Sequence, residues 1–142
     1  MDTKKTLQLV IVSAERKLLE ADVEAVTAPT STGEVTILPG HIPLLTRLQT
    51  GELVYTEKNR PYSVVISQGF MDITPTGQVT VMVDNAVHER EISLDKAQKA
   101  VEEANQTVIS TADRRELLMA EASLKRAMLE VRVAQKTKKA AI

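Results

Sequence analysis

The chain has 142 residues, no cysteine, three aromatic residues and a net charge of −1. That length holds one ordinary domain, or a small domain with an appendage, built on an aliphatic core. The near-neutral charge and the scarcity of rings exclude a basic nucleic-acid surface and single-strand stacking platforms. The missing cysteines exclude a disulfide framework and thiolate metal sites, and fit a reducing compartment. No apolar run approaches the roughly 18 residues of a spanning helix. The polar start, Met1 to Thr6, lacks the apolar region and cleavage site of a signal peptide. The expectation is a cytoplasmic protein that meets a membrane only through a partner.

In chain order, residues 1–91 read as β structure. Leu7, Leu9 and Ile11 alternate with Gln8, Val10 and Val12, giving a central strand apolar on both faces. Ala14 to Lys17 is a turn, Leu18-Leu19 starts a return strand, and Val23, Val26 and Thr27 carry it to Pro29 and the Ser31-Thr32-Gly33 loop. Val35 and Ile37 alternate with Glu34 and Thr36 until Pro39-Gly40 forces a corner, and Pro43 stiffens the exit into Leu44-Leu45. His41 sits in that corner. With no nucleophile or paired carboxylate near it in sequence, it reads as a turn cap or backbone ligand. Further strands follow around Leu53-Val54-Tyr55, Val64-Val65-Ile66 and Gly69 to Ile73, with a polar hairpin tip from Glu57 to Pro61. After the Thr74-Pro75-Thr76-Gly77 turn, Val79, Val81 and Val83 form the clearest half-buried strand. Short strands split by glycine and proline turns specify an antiparallel β-sandwich or flattened barrel.

From Ile92 to Ile142 there is no glycine and no proline, and the composition becomes helical. Ser93 is a candidate N-cap, with Lys96 where a capping box has glutamate. Leu94, Ala97, Val101, Ala104 and Val108 form one stripe; Leu117, Ala120, Leu124, Ala127, Val131 and Ala134 form another beyond the Ser110 to Asp113 break. Two such stripes specify an antiparallel two-helix hairpin over 92–142. The stripes are alanine-rich, so at roughly 25 cal/mol per Å² the hairpin gains little from its own interface. It reads as a static appendage or as one that exchanges partners.

Charge divides at the same boundary. Residues 1–91 carry 8 Lys+Arg against 12 Asp+Glu, a balance of −4, and residues 92–142 carry 10 against 7, a balance of +3. Six bases (Lys125, Arg126, Arg132, Lys136, Lys138, Lys139) and one acid, Glu130, fall within 125–139. Such an end is a solvated face complementing its own dipole, or seeks an acidic protein surface. Catalysis is not expected, because there is no nucleophile elbow and no phosphate-cradling glycine loop. Metal binding is not expected either, since His41 and His88 lack partner ligands at metal-site spacing.

The run Gly33-Glu34-Val35-Thr36-Ile37-Leu38-Pro39-Gly40-His41-Ile42-Pro43-Leu44-Leu45-Thr46 closely resembles the hallmark segment of the epsilon subunits of bacterial F-type ATP synthases. The opening strand, the Ser67-Gln68-Gly69-Phe70 turn and the charged helical tail extend the resemblance over the chain. It implies a non-catalytic rotor subunit on the cytoplasmic face of the bacterial membrane, in a proton- or sodium-translocating enzyme. Its sandwich would bind the gamma subunit and the c-ring, with Glu34 at the c-ring loops and His41 near gamma. Its second helix would extend into the catalytic alpha/beta head. There Arg126, Arg132 and Lys136 would meet an acidic beta-subunit segment and stop ATP hydrolysis. Some relatives hold ATP through Ile/Leu-Asp-x-x-Arg-Ala. Here one alignment, Ile92 to Ala97, loses the aspartate and changes arginine to Lys96; the other, from Leu94, keeps Asp95 but loses arginine and alanine. Arg126 matches, but Glu130 replaces a second arginine and opposes phosphate, so no cofactor is expected. From the residues alone, the rival is a ligand- or peptide-binding sandwich that oligomerises through its helices.

Overall fold

The computed structural model describes the backbone of residues 6–140 and the side chains of residues 6–138. The polar start before Thr6 and the Lys139 side chain therefore lie outside the described residues. Contacts divide the chain into two units, Met1–His88 and Glu89–Ile142.

The first unit is a nearly closed β-sandwich. Its strands are β1 (Leu7–Ser13), β2 (Lys17–Val23), β3 (Ala25–Thr30), β4 (Gly33–Ile37), β5 (Leu44–Leu48), β6 (Gly51–Glu57), β7 (Arg60–Ile66), β8 (Gly69–Ile73), β9 (Gln78–Val83) and β10 (Ala86–His88). They hydrogen-bond in the order β10-β7-β6-β3-β5-β8-β9-β1-β2, with β4 attached to β3 alone. The expected antiparallel pairing has one exception. β1 and β9 run parallel, Leu9 beside Val79 and Ile11 beside Val81. The meander between them supplies the long crossover that a parallel pair requires.

Alternation builds the core. Leu7, Leu9, Ile11, Val26, Ile37, Leu53, Val64, Ile66, Met71, Ile73, Val79 and Val81 are essentially fully shielded. Turn chemistry fixes which residues face in. Pro39 and Gly40 (φ +89°) occupy the central positions of a type II turn closed by His41 N–H donating to Leu38 O at 3.0 Å. Lys58 (φ 52°) and Asn59 (φ 63°) form the left-handed pair of a type I′ hairpin between β6 and β7. The buried polar groups are paired: Tyr55 Oη lies 2.7 Å from His88 Nε2, and Tyr62 stacks on Tyr55 at 5.3 Å. His88 is thus a core partner of a tyrosine.

The second unit holds a short 3-10 turn (Glu89–Glu91), helix α1 (Leu94–Ser110) and helix α2 (Arg114–Ala140). Ser93 caps α1, its Oγ accepting from Lys96 N–H at 3.4 Å. Asp113 caps α2, its carboxylate accepting from Arg115 N–H at 3.0 Å. The helices pack along the expected stripes. Ala97, Ala104, Ala120, Ala127 and Ala134 are buried, while Leu94, Val101, Val108, Leu117, Leu124 and Val131 are half-buried. Val133, outside the stripe, is buried as well. Thr137 Oγ1 donates to Glu89 Oε2 at 3.4 Å, tying the 3-10 turn to the last turns of α2.

Candidate functional site

Glu34 opens β4 just past the Ser31-Thr32 turn, where Gly33 (φ +123°) takes a conformation that side chains rarely adopt. Thr30 Oγ1 donates to Gly33 O at 2.5 Å and stiffens this tip, leaving Glu34 exposed. His41 is half-buried at the corner, and its Nδ1 lies 2.7 Å from Ile42 O. It contacts backbone, as a turn-capping histidine does, and no carboxylate or nucleophile is bonded to it among the described residues. The corner itself is apolar and outward: Leu38 is 56% exposed and Ile42 73%.

The strand register carries that apolar surface onto the outer face of the sandwich. Leu45 lies opposite Asp72, Arg47 opposite Phe70, Phe70 opposite Met82, and Met82 beside Val12. Leu45, Phe70 and Met82 are 68%, 46% and 41% exposed. Cross-strand and diagonal neighbours on one face touch, so these residues form one patch. Large exposed apolar patches on small domains mark interfaces. Sequence reasoning missed this patch, although a signal existed: Phe70 and Met82 occupy the outward phase of strands whose inward phase is already apolar.

On α2, Arg132 and Lys136 are exposed one turn apart and share a face, whereas Arg126 lies about 120° round the helix from Arg132 and about 80° from Lys136. The three expected contact residues are therefore two plus one. Arg126 is half-buried, its Nε 3.8 Å from Glu130 Oε2 in an i,i+4 pair. Asp95 and Lys96 are exposed at the start of α1. A shallow cleft of about 370 Å³ runs between the helices, lined by Gln98, Val101, Met128, Val131, Arg132 and Gln135. It opens on the flank away from Arg126, and none of Asp95, Lys96 and Arg126 lines it. Among the described residues no group of three or more metal-ligand side chains converges, and no helix is long and apolar enough to cross a membrane.

Burial raises the Glu130 carboxyl above its ordinary value of 4.5, and Arg126 offsets only part of the effect. The folded chain therefore holds that proton more tightly than the unfolded chain, and stability falls as pH rises from about 4.5 through the folded value. Glu130→Gln should stabilise the protein at neutral pH by under about 1 kcal/mol and flatten that slope. Thermal unfolding followed from pH 4 to pH 8 checks this; a variant less stable than the parent at pH 7 means the Arg126 pair outweighs desolvation.

The described residues thus form a sandwich with an outward apolar face, followed in the chain by a capped helix hairpin. Residues 6–89 match the family model for the β-sandwich domain of the ATP synthase delta/epsilon chain. The ATP synthase epsilon chain of Herpetosiphon aurantiacus is 40% identical over 129 residues, covering 91% of this chain and 94% of its own. That of Dehalococcoides mccartyi is 42% identical over 137 residues, covering 94% and 95%. A chain in the Euglena gracilis mitochondrial ATP synthase structure (OSCP, F1 and c-ring) superposes with TM-score 0.72 at 27% identity, over 94% of this chain and 81% of that one. A chain of the Tetrahymena thermophila mitochondrial central stalk and c-ring shares the fold, with TM-score 0.62 at 16% identity. The chain belongs to the ATP synthase epsilon-chain family, a non-catalytic subunit of that complex.

Proposed function

We propose that this chain is a central-stalk subunit of an F-type ATP synthase at the cytoplasmic face of a bacterial membrane. Its sandwich joins the gamma subunit to the c-ring, and its helix hairpin restrains ATP hydrolysis. The observation that carries the first part is the apolar surface of Leu38, Ile42, Leu45, Phe70 and Met82, which a free-standing domain has no reason to expose. His41 stands at the edge of that surface, and Glu34 at the exposed tip of the β3–β4 hairpin supplies a polar contact for the c-ring loops. The second part rests on the alanine-rich α1–α2 interface and on the Arg132–Lys136 face, with Arg126 on the adjoining flank. Glu130 beside Arg126 favours a hairpin that works without nucleotide.

The test is assembly with the gamma subunit. Leu45→Glu with Phe70→Glu should weaken that binding about tenfold or more, because central apolar anchors dominate such interfaces. Titration of labelled protein against gamma measures it. A wild-type chain that ignores gamma and purifies as a free homo-oligomer would support the ligand-module reading instead.

A further inference from the structure

The cleft between α1 and α2 changes character along its length. Its walls come from both helices: Gln98 and Val101 from α1, and Met128, Val131, Arg132 and Gln135 from α2. Residues 111–113 join the two packed helices as a short loop, so the helices run antiparallel and distance from that loop orders the lining. On α1, Val101 lies nearer the loop and Gln98 about one turn further from it. On α2, Met128 lies nearest, Val131 follows, and Arg132 and Gln135 come last. Both walls are therefore apolar toward the loop and polar away from it. At the apolar end Met128 is 56% exposed beside half-buried Val101 and Val131. At the polar end two amides flank a guanidinium. Among the described residues no carboxylate lines the cleft, and Arg132 is its one cation. Its volume of about 370 Å³ is that of a small-molecule site.

We propose that this cleft binds a single-chain amphiphilic carboxylate, a fatty-acid anion, with its hydrocarbon chain toward the loop and its head at Arg132. The planar guanidinium fork matches the two carboxylate oxygens, and one cation balances one negative charge. Gln98 and Gln135 each bring amide N–H donors to the same end. The hydrocarbon chain covers Val101, Val131 and Met128, which takes apolar surface out of water on both partners. A polyphosphate would bring several charges to a lining that holds a single cation. Because each helix supplies a wall, an occupied cleft favours the closed hairpin. This rests on the hairpin geometry alone and stands apart from the rotor assignment.

The probe is sodium decanoate, kept below its micelle concentration and titrated into the full isotopically labelled chain. The methyl resonances of Val101, Met128 and Val131 should shift together and saturate, and the melting temperature should rise as the cleft fills. Octanoate, two methylenes shorter, should bind about tenfold more weakly. Decanol has the same chain without the charge, and should also bind about tenfold more weakly than decanoate. Arg132→Gln should lower decanoate affinity about tenfold, the worth of a charge-assisted hydrogen bond, and leave decanol unaffected. Arg132 is exposed, so the variant keeps the fold. Arg132→Lys retains the charge without the fork and should fall between the two. Decanol binding as tightly as decanoate overturns the proposal. So does decanoate binding that Arg132→Gln leaves unchanged, or the absence of methyl shifts at millimolar decanoate. Shifts centred on the Leu45 and Met82 methyl groups overturn it as well, because they place the chain on the outer face of the sandwich.

Discussion

Gly69→Ala should unfold or severely weaken the sandwich, with a loss of roughly 3 kcal/mol or more. A Cβ at this position would sit 2.0 Å from Met82 O and 2.7 Å from Val83 Cα. Both obstacles are backbone, so no side-chain rotation relieves them. Gly69, the first residue of β8, pairs with Leu48 on one side and Val83 on the other, so it is held between two ladders at once. A shift of either neighbour would strain two ladders together. For a domain of this size such a loss lowers Tm by roughly 12–24 °C. Gly77→Ala is the control: its Cβ meets nothing within 4 Å, and only the positive φ of +87° is strained. That strain is worth about 1–2 kcal/mol. Thermal unfolding of the two variants separates the mechanisms, and equal melting temperatures would mean that the ladder gives way without cost.

Truncating the chain after Ser110 should raise ATP hydrolysis by the assembled enzyme several-fold while leaving assembly and synthesis largely intact. The proposed restraint needs α2, and the interface that returns α2 to α1 is built on five buried alanines. An alanine buries little area at about 25 cal/mol per Å², so the hairpin opens at modest cost. Arg132→Ala with Lys136→Ala should reproduce much of the truncation, since those two cations share one face. Adding Arg126→Ala should contribute less, because Arg126 lies on another flank and already faces Glu130 at 3.8 Å. Exposed ion pairs are worth about 0.2–1 kcal/mol each. Two of them amount to about 0.4–2 kcal/mol, and about 1.4 kcal/mol is a tenfold change between hairpin states. Hydrolysis by reconstituted complexes, each with its synthesis rate, is the measurement. Unchanged hydrolysis after truncation would remove the braking role from this tail.

Local pattern made most of the architecture legible. Period-two alternation located the strands around Leu9, Val35 and Val81, and stripes at spacings of three and four located the hairpin interface down to its alanines. Ser93 and the Ser110-to-Asp113 break marked the helix starts, because a capping oxygen needs only residues two or three places along the chain. The corner at Pro39-Gly40 and the fourteen-residue run around it were enough to indicate the family.

What escaped the sequence depends on residues far apart in the chain. The parallel pairing of β1 with β9 joins residues about seventy positions apart, and no local periodicity encodes a partner. Leu45, Phe70 and Met82 each look like ordinary strand apolar residues; only register places them side by side on the outside. The separation of Arg126 from Arg132 and Lys136 was countable in advance from helical phase. Its consequence was not, because the burial of Glu130 beside Arg126 required the packed hairpin. By itself the sequence determined the elements, their caps and turns, and the family, since these rest on steric and hydrogen-bonding preferences of near neighbours. The tertiary structure alone decided that Val101 and Met128 wall one cleft with Arg132, because a cleft is defined by elements that pack together from distant parts of the chain.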